Sequence, residues 1–288
     1  MRGVLNLNKP SGLSSYDVIR RLHRIIGPTP IGHAGTLDPM ASGVLLILVG
    51  EATKLSRFLM ATDKEYQAEV LFGKETDTDD TTGRIIAEAV VPDLSKEVLC
   101  EILRRFLGVQ SQVPPRFSAL KQAGRPLYRL ARRGWSVEPK PRPVTFHDLE
   151  LLNWDPPRAY LRAVVSSGTY IRALARDLGR AAGTVATLSG LVRTRSGRFA
   201  LNQALSLDRA DPETIVHHLV TIPDALPELP RLNLSEVQAH SLLQGQMVEF
   251  QTAPDVEHAL ALTSEQRFLC LVAVRDQKLR PLRVIYAE

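Results

Sequence analysis

The sequence predicts an α+β protein with a large N-terminal domain and a small C-terminal domain. Its 288 residues accommodate roughly two domains of about 150 residues. Hydrophobic residues make up 44% and charged residues 23% of the chain, as in ordinary globular proteins. Strand-like and helix-like segments are interspersed up to about residue 225, whereas short strand-like segments dominate residues 226–288.

The N-terminal segments can be assigned from their apolar periodicity. Residues 4–7 begin a strand, and Ser14 or Ser15 caps a helix whose apolar positions extend to Ile26, in the i, i+3, i+4 pattern. A glycine-rich loop over residues 32–43 then leads into residues 44–49. This second segment is apolar at every position, which predicts a central strand buried on both faces.

Further elements follow in the same domain. Residues 66–72 alternate as in a half-buried strand, and residues 144–152 and 159–166 form two more strands. Residues 95–107 and 169–182 carry helical periodicity. The second helix aligns three arginines on one face, which would meet phosphate or acidic side chains: Arg172, Arg176 and Arg180.

Residues 222–230 contain three prolines, which favours a linker over a packed element. We therefore predict a catalytic domain over residues 1–225 and a second domain over residues 226–288. Beyond the boundary, a short helix and several short strands predict a small barrel.

Basic charge is concentrated in one part of the chain. Residues 121–200 hold 15 Lys and Arg against 5 Asp and Glu. Residues 114–143 are also rich in proline, and we interpret them as an insertion that projects from the sheet. Such asymmetry indicates a polyanionic partner, most simply nucleic acid; a solvated basic face explains the charge count equally well.

Several classes of protein and site are excluded or disfavoured. No apolar stretch reaches the roughly 18 residues of a membrane helix, and no signal peptide precedes the first strand. We therefore expect a cytoplasmic enzyme or binding protein. Cys100 and Cys270 support neither a disulfide framework nor a metal site, and the usual nucleotide, dinucleotide and zinc motifs are missing from the sequence.

Two acidic segments invite a chemical interpretation. Residues 75–80 resemble the start of a calcium loop, but the sixth position is Asp80 rather than glycine. A solvated turn is therefore the prediction. Asp38 lies in a Gly- and Pro-containing loop before the apolar strand, where it could be either a turn former or a presented catalytic carboxylate.

A series of ordered motifs resembles the bacterial tRNA pseudouridine-55 synthases, in the TruB family. Residues 32–45 read Gly-His-Ala-Gly-Thr-Leu-Asp-Pro-Met-Ala-Ser-Gly-Val-Leu and are similar to the catalytic motif of that family. Five other segments resemble its further motifs: residues 8–15, 64–66, 76–79, 167–172 and 188–197. The resemblance implies a mixed, largely antiparallel sheet flanked by helices, the pseudouridine synthase fold, and a C-terminal PUA-like RNA-binding barrel.

The resemblance also implies roles for individual residues. Asp38 would be the nucleophile, attacking either C1′ of the sugar or C6 of the uracil, and Arg172 would hold it ionised and aimed. Tyr66, the third implied catalytic residue, would stack on the target base and could remove its C5 proton. The implied substrate-binding residues are His33, which fills the space left by the flipped base, Tyr170 and Leu191 in the pocket, and Lys9, which supports the Asp38 loop. The basic insertion, with Arg129, Arg132 and Arg133, is expected to grip the RNA around the T-arm.

The function expected from this resemblance is isomerisation of uridine 55 in the T loop of tRNA to pseudouridine. The reaction conserves all atoms, so neither a cofactor nor a metal is expected. We expect tRNA as the partner of a monomeric enzyme without an obligatory protein partner. Two alternatives stay open: a role in tRNA folding as a chaperone, and guide-dependent modification of ribosomal RNA.

Overall fold

A computed structural model describes residues 1–118, 120–122, 125–127, 139–251, 254 and 256–284. This part of the chain contains seven α-helices: α1 (Ser15–Ile26), α2 (Ser56–Ala61), α3 (Lys96–Arg104), α4 (Ile171–Ala181), α5 (Pro212–His218), α6 (Ile222–Ala225) and α7 (Glu236–Leu243). Short 3-10 helices cover Gly50–Leu55, Leu201–Gln203 and Leu207–Arg209. None of the helices in the described residues is long and apolar enough to cross a membrane.

The strands of the N-terminal part are β1 (Gly3–Lys9), β2 (Ile31–Ala34), β3 (Ser42–Val49), β4 (Lys64–Phe72), β5 (Lys74–Thr76), β6 (Ile85–Glu88), β7 (Gly108–Gln112), β8 (Lys121–Gln122), β9 (Arg125–Pro126), β10 (Arg142–Asp155), β11 (Arg158–Val165), β12 (Ala186–Ser196), β13 (Phe199–Ala200), β14 (Leu205–Ser206) and β15 (Leu219–Val220). The C-terminal strands are β16 (Arg231–Asn233), β17 (Val248–Glu249), β18 (His258–Leu262), β19 (Phe268–Arg275) and β20 (Lys278–Val284).

One large sheet organises the N-terminal part. Its strand order is β14-β1-β3-β12-β4-β11-β10-β7, with β2, β13 and β15 paired at the side of this path. The β1–β14 and β3–β12 pairs are parallel and the other pairs antiparallel. The predicted α+β class with a mixed, largely antiparallel sheet is therefore confirmed.

Strand β3 is buried on both faces, as its apolar sequence predicts. Leu45 and Ile47 face a core shared with α1, α3 and α4. Leu46 and Leu48 face the opposite core, which contains side chains of α2, α6 and the C-terminal strands. Because successive strand residues point to opposite faces, β3 joins the two cores.

The C-terminal strands form a separate five-stranded sheet, with the order β16-β18-β19-β20-β17. The β16–β18 pair is parallel, and α7 packs against this sheet through Ala239 and Leu242. The arrangement agrees with the predicted PUA-like architecture.

The prediction of an unpacked linker over residues 222–230 is wrong for its first half. Ile222, Ala225 and Leu226 are buried in the core beneath β3, together with apolar side chains of β18 and β19. Pro223 occurs in the first turn of α6, where the missing N–H breaks no helical hydrogen bond. The prolines therefore shape a packed turn.

Two other expectations require correction. The glycine-rich segment begins as strand β2, which pairs with β3, so the loop is shorter than residues 32–43. Strand β12, at the centre of the sheet, was not predicted. Its sequence contains Gly190 and several polar residues, and its pairing with β4 is interrupted by two register shifts, so strict alternation is lost.

Candidate active site

The loop between β2 and β3 carries Asp38. Residues 11–15, at the start of α1, form hydrogen bonds with this loop. Four hydrogen bonds join the two segments: Gly12 N to Pro39 O (2.7 Å), Ser11 Oγ to Met40 O (2.9 Å), Leu37 N to Ser15 Oγ (3.0 Å) and Ser15 Oγ to Leu37 O (3.2 Å). Within the loop, Ala41 N donates to Asp38 O. The two motifs, distant in sequence, therefore form one unit.

Lys9 lies fully buried at the end of β1, next to this unit. Its ammonium donates to the carbonyl oxygens of Pro10 (2.9 Å) and Leu13 (2.7 Å), which fixes the turn that carries Gly12. Burial lowers the pKa of Lys9 to about 8, although the negative charge of Asp38 opposes this shift.

Arg193 of β12 supports the same loop from the sheet. Its side chain is buried, and its guanidinium donates to the carbonyl oxygens of Val44 (2.6 Å) and Gly35 (3.1 Å). Gly43 approaches the backbone of Arg193 so closely that a Cβ there would lie 2.3 Å from its carbonyl oxygen. Both ends of the Asp38 loop are thus tied to β12.

Arg172, in the first turn of α4, faces Asp38. Its Nε lies 2.9 Å from Oδ2 of Asp38, and its Nη2 donates to Oδ1 at 3.3 Å. The arginine side chain is 5% exposed and the aspartate side chain 33% exposed. The carboxylate therefore reaches solvent while its counter-charge stays inside the protein.

Three further acceptors fix the guanidinium of Arg172. Nη1 donates to the carbonyl oxygen of Thr78 (2.9 Å) and lies 3.7 Å from Oδ2 of Asp80. Nη2 also donates to the carbonyl oxygen of Phe117 (3.1 Å). A guanidinium held on several edges cannot swing away from Asp38, and its planar fork sets the direction of the carboxylate.

The other two arginines of the α4 face pair with acidic side chains, Arg176 inside the protein and Arg180 at its surface. Arg176 lies 2.8 Å from Asp79, and Arg180 lies 3.3 Å from Glu75. Asp79 and Asp80 are buried, so the prediction of a solvated turn over residues 75–80 is wrong. The turn is a partner of α4.

Asp79 occupies an unusual position in this turn. Its φ of 61° lies in the left-handed region, which aspartate tolerates better than most residues. Burial raises the pKa of Asp79 to about 6, while Arg176 and Arg172 oppose the shift. The carboxylate is consequently still ionised at pH 7 and pairs with Arg176.

The residues expected to contact a target base lie on elements next to this pair. Tyr66 is mostly buried on β4 and pairs in register with Arg193, and Leu191 pairs with Ala68. His33 lies on β2, and its Nδ1 is buried without a hydrogen-bond partner among the described residues. Burial, assisted by the charge of Arg193, lowers the pKa of His33, so the ring is neutral at pH 7.

Tyr170 immediately precedes α4. Gln112 of β7 accepts a hydrogen bond from the backbone N–H of Tyr170 (2.9 Å) and donates one to its carbonyl oxygen (3.1 Å). The remaining predicted RNA contacts, Arg129, Arg132 and Arg133, lie outside the described residues.

Comparison with known proteins identifies the family of the chain. The family model described as TruB family pseudouridylate synthase (N terminal domain) matches residues 23–171, and the model for the C-terminal part of pseudouridine synthase II TruB matches residues 230–285. The chain belongs to the TruB family of pseudouridylate synthases. The resemblance drawn from the motifs is confirmed, as is the prediction of a pseudouridine synthase enzyme.

Individual relatives match over nearly the whole chain. The protein from Gloeobacter violaceus named tRNA pseudouridine synthase B is 45% identical, and the alignment covers 99% of each chain. The protein of the same name from Azoarcus sp. is 41% identical, with 99% of this chain and 95% of the relative covered.

Solved structures share the fold. A structure of an H/ACA RNP bound to a substrate RNA containing 2′-deoxyuridine has a TM-score of 0.74 at 20% identity, covering 99% of this chain and 85% of the matched chain. A Cbf5-Nop10-Gar1 complex has a TM-score of 0.73 at 22% identity, covering 99% and 84%.

Sequence reasoning missed two residues that position the Asp38–Arg172 pair. Asp80 was assigned to a solvated turn, although residues 75–80 contain four acids and α4 carries three arginines at four-residue spacing. The opposite charges of these two segments were the signal available. Arg193 lies within the motif at residues 188–197, and its residue type gave no signal that it would be buried against the Asp38 loop.

The lowered pKa of Lys9 predicts a pH-dependent stability difference. Between pH 8 and 10.5 the folded chain holds Lys9 neutral while the unfolded chain still binds the proton. The native protein should therefore gain stability relative to Lys9→Met as pH rises, by about 1.4 kcal/mol per pH unit. Urea denaturation of both proteins at pH 7.5, 9 and 10 measures this difference. Parallel stability curves would contradict the assignment.

Proposed function

We propose that the chain converts uridine 55 in the T loop of tRNA to pseudouridine, with Asp38 as the nucleophile. Relatives at 41–45% identity over 99% of this chain are named tRNA pseudouridine synthase B, which supports tRNA as the substrate. The observation that carries the proposal is the half-exposed Asp38 carboxylate against the buried Arg172. The enzyme acts as a monomer in this proposal.

The chemistry requires one ionised carboxylate and no second acid. The C–N glycosidic bond breaks, the uracil turns within the site, and a C–C bond forms between C1′ and C5, with loss of the C5 proton and uptake of a proton at N1. Attack by Asp38 on C1′ or on C6 begins this sequence, and either route needs a carboxylate oriented toward the substrate, as the contacts with Arg172 orient it. A hydrolytic glycosidase would require a second carboxyl group and a water molecule.

The base has to leave the RNA stack before it can meet Asp38. Flipping costs a few kcal/mol, which contacts to the RNA must offset. In this proposal Tyr66, Tyr170 and Leu191 line the base pocket, and neutral His33 occupies the space that the base vacates. A neutral ring is suited to stacking between bases, since it carries no charge that requires hydration.

Replacing the nucleophile tests the proposal. Asp38→Asn should lower turnover more than about 1,000-fold, because an amide cannot form the covalent intermediate. The affinity for tRNA should change only a few-fold, since phosphate contacts dominate RNA binding. Release of tritium from a T-arm stem-loop labelled at C5 of uridine measures turnover, and filter binding measures affinity.

A matched control is Asp148→Asn, which removes an exposed carboxylate that pairs with Arg162. This variant should retain native turnover. Near-native turnover by Asp38→Asn would refute the assignment of the nucleophile. If the native protein releases no tritium but accelerates refolding of tRNA, the chaperone alternative is the better account.

We further propose that residues 114–143 grip the RNA backbone. Replacing Arg129, Arg132 and Arg133 together by alanine should raise the dissociation constant for tRNA. It should also reduce the slope of log affinity against log salt concentration by roughly 2 to 3, at about 0.7 to 0.9 for each lost phosphate contact. Turnover at saturating tRNA should change much less. Binding isotherms at four salt concentrations check this, and an unchanged slope would assign these arginines to a solvated face.

We also propose a functional boundary near residue 225, with residues 226–288 as an RNA-binding domain. The C-terminal family model begins at residue 230, in agreement with that position. The segment carries 6 Lys and Arg against 8 Asp and Glu, so its contribution to RNA affinity does not rest on net charge.

A further inference from the structure

Arg142 occupies a place that the proposed reaction leaves unexplained. It is the first residue of β10, where the basic insertion returns to the sheet, and it pairs in register with Gln112 of β7. Gln112 holds the backbone of Tyr170. Arg142 is therefore a neighbour of Tyr170, which lies at the start of α4, two residues before Arg172.

The side chain of Arg142 is fixed by two contacts. Its guanidinium carbon lies 5.0 Å from the centre of the Tyr170 ring, a cation–π arrangement that retains the planar group on the aromatic face. Nη2 donates to the carbonyl oxygen of Gly168. Gly168 has a φ of 83°, and a Cβ there would lie 3.0 Å from Nη2, so glycine makes room for the guanidinium.

Arg142 differs from three other arginines of the same sheet in its charge balance. Arg158 pairs with Glu69, Arg162 with Asp148, and Arg195 with Glu65. Among the described residues, no carboxylate forms an ion pair with Arg142. Its Nε is also buried without a hydrogen-bond partner in this part of the chain. A fixed, half-buried guanidinium that has no carboxylate partner among the described residues is suited to bind an anion.

We propose that Arg142 is a substrate-binding residue that donates to a phosphodiester oxygen of the RNA beside the nucleotide held at Asp38. An arginine fork matches the geometry of a phosphate group, and most contacts of proteins to nucleic-acid backbones are of this type. The ring of Tyr170 keeps the guanidinium of Arg142 in place. In this proposal Arg142 contacts the RNA backbone while Tyr170 lines the base pocket. This inference rests on the proposed function for the identity of the RNA.

The alternative is that Arg142 only supports Gly168 and Tyr170. The two roles differ in their salt dependence, because only a phosphate contact releases counterions from the RNA. Arg142→Ala should raise the dissociation constant for a T-arm stem-loop by roughly 3- to 10-fold and flatten the log–log salt plot by about 0.7 to 0.9. Arg142→Lys should retain most of the slope, since a point charge remains, but should lower turnover because it stacks less well on Tyr170.

The matched control is Arg158→Ala, an arginine of the neighbouring strand β11 that already has a carboxylate partner. It should leave the salt slope unchanged. Thermal melts identify any variant that fails to fold. If Arg142→Ala fails to fold, Arg142→Lys still allows the test. An unchanged slope for folded Arg142→Ala, with reduced turnover, would overturn the proposal in favour of the supporting role.

The same experiment separates this inference from the proposed function. If the native protein releases no tritium from the stem-loop, the proposed function fails whatever the variants do. If the native protein is active and the slope of Arg142→Ala equals that of the native protein, only the phosphate contact is refuted.

Discussion

The site depends on one constraint: the buried guanidinium of Arg172 must keep its ion-pair and hydrogen-bond partners. Removing a charged arginine from water costs several kcal/mol unless acceptors surround it. Arg172 of α4 meets that requirement with two carboxylates and two carbonyl oxygens from three other segments: the Asp38 loop, the turn around Thr78 and Asp80, and the segment at Phe117. Satisfying one side chain therefore fixes the relative positions of all four segments.

Two other buried arginines also connect separate segments of the chain. Arg176 links α4 to Asp79 and donates to the carbonyl oxygen of Val113. Arg193 ties the start of β3 to β12. These arginines are buried and act inside the protein, so the predicted polyanion partner has to be met by other basic residues. Arg142 and the other arginines of the insertion are candidates for this contact.

Much of this architecture could be predicted from the sequence, and the failures have physical causes. The apolar run of β3 and the periodic helix α4 are local patterns, and the structure confirms both. Strand β12 was not predicted because its register shifts and polar residues interrupt the alternation of apolar and polar residues that is typical of a strand. The turn at Asp79 and Asp80 appeared solvated because the arginines that bury it lie about 95 residues later in the chain. Pairing at that distance leaves no periodic signal.

We infer that Asp80 acts through Arg172 to position Asp38. A double-mutant cycle on single-turnover rates, with Arg172→Lys, Asp80→Asn and the two combined, tests it directly. If Asp80 works only by holding the arginine, the combined variant should be no slower than Arg172→Lys alone, since residues that act as a unit are not additive. Rate losses that multiply in the combined variant would show that the two side chains contribute independently, and the claim would be wrong.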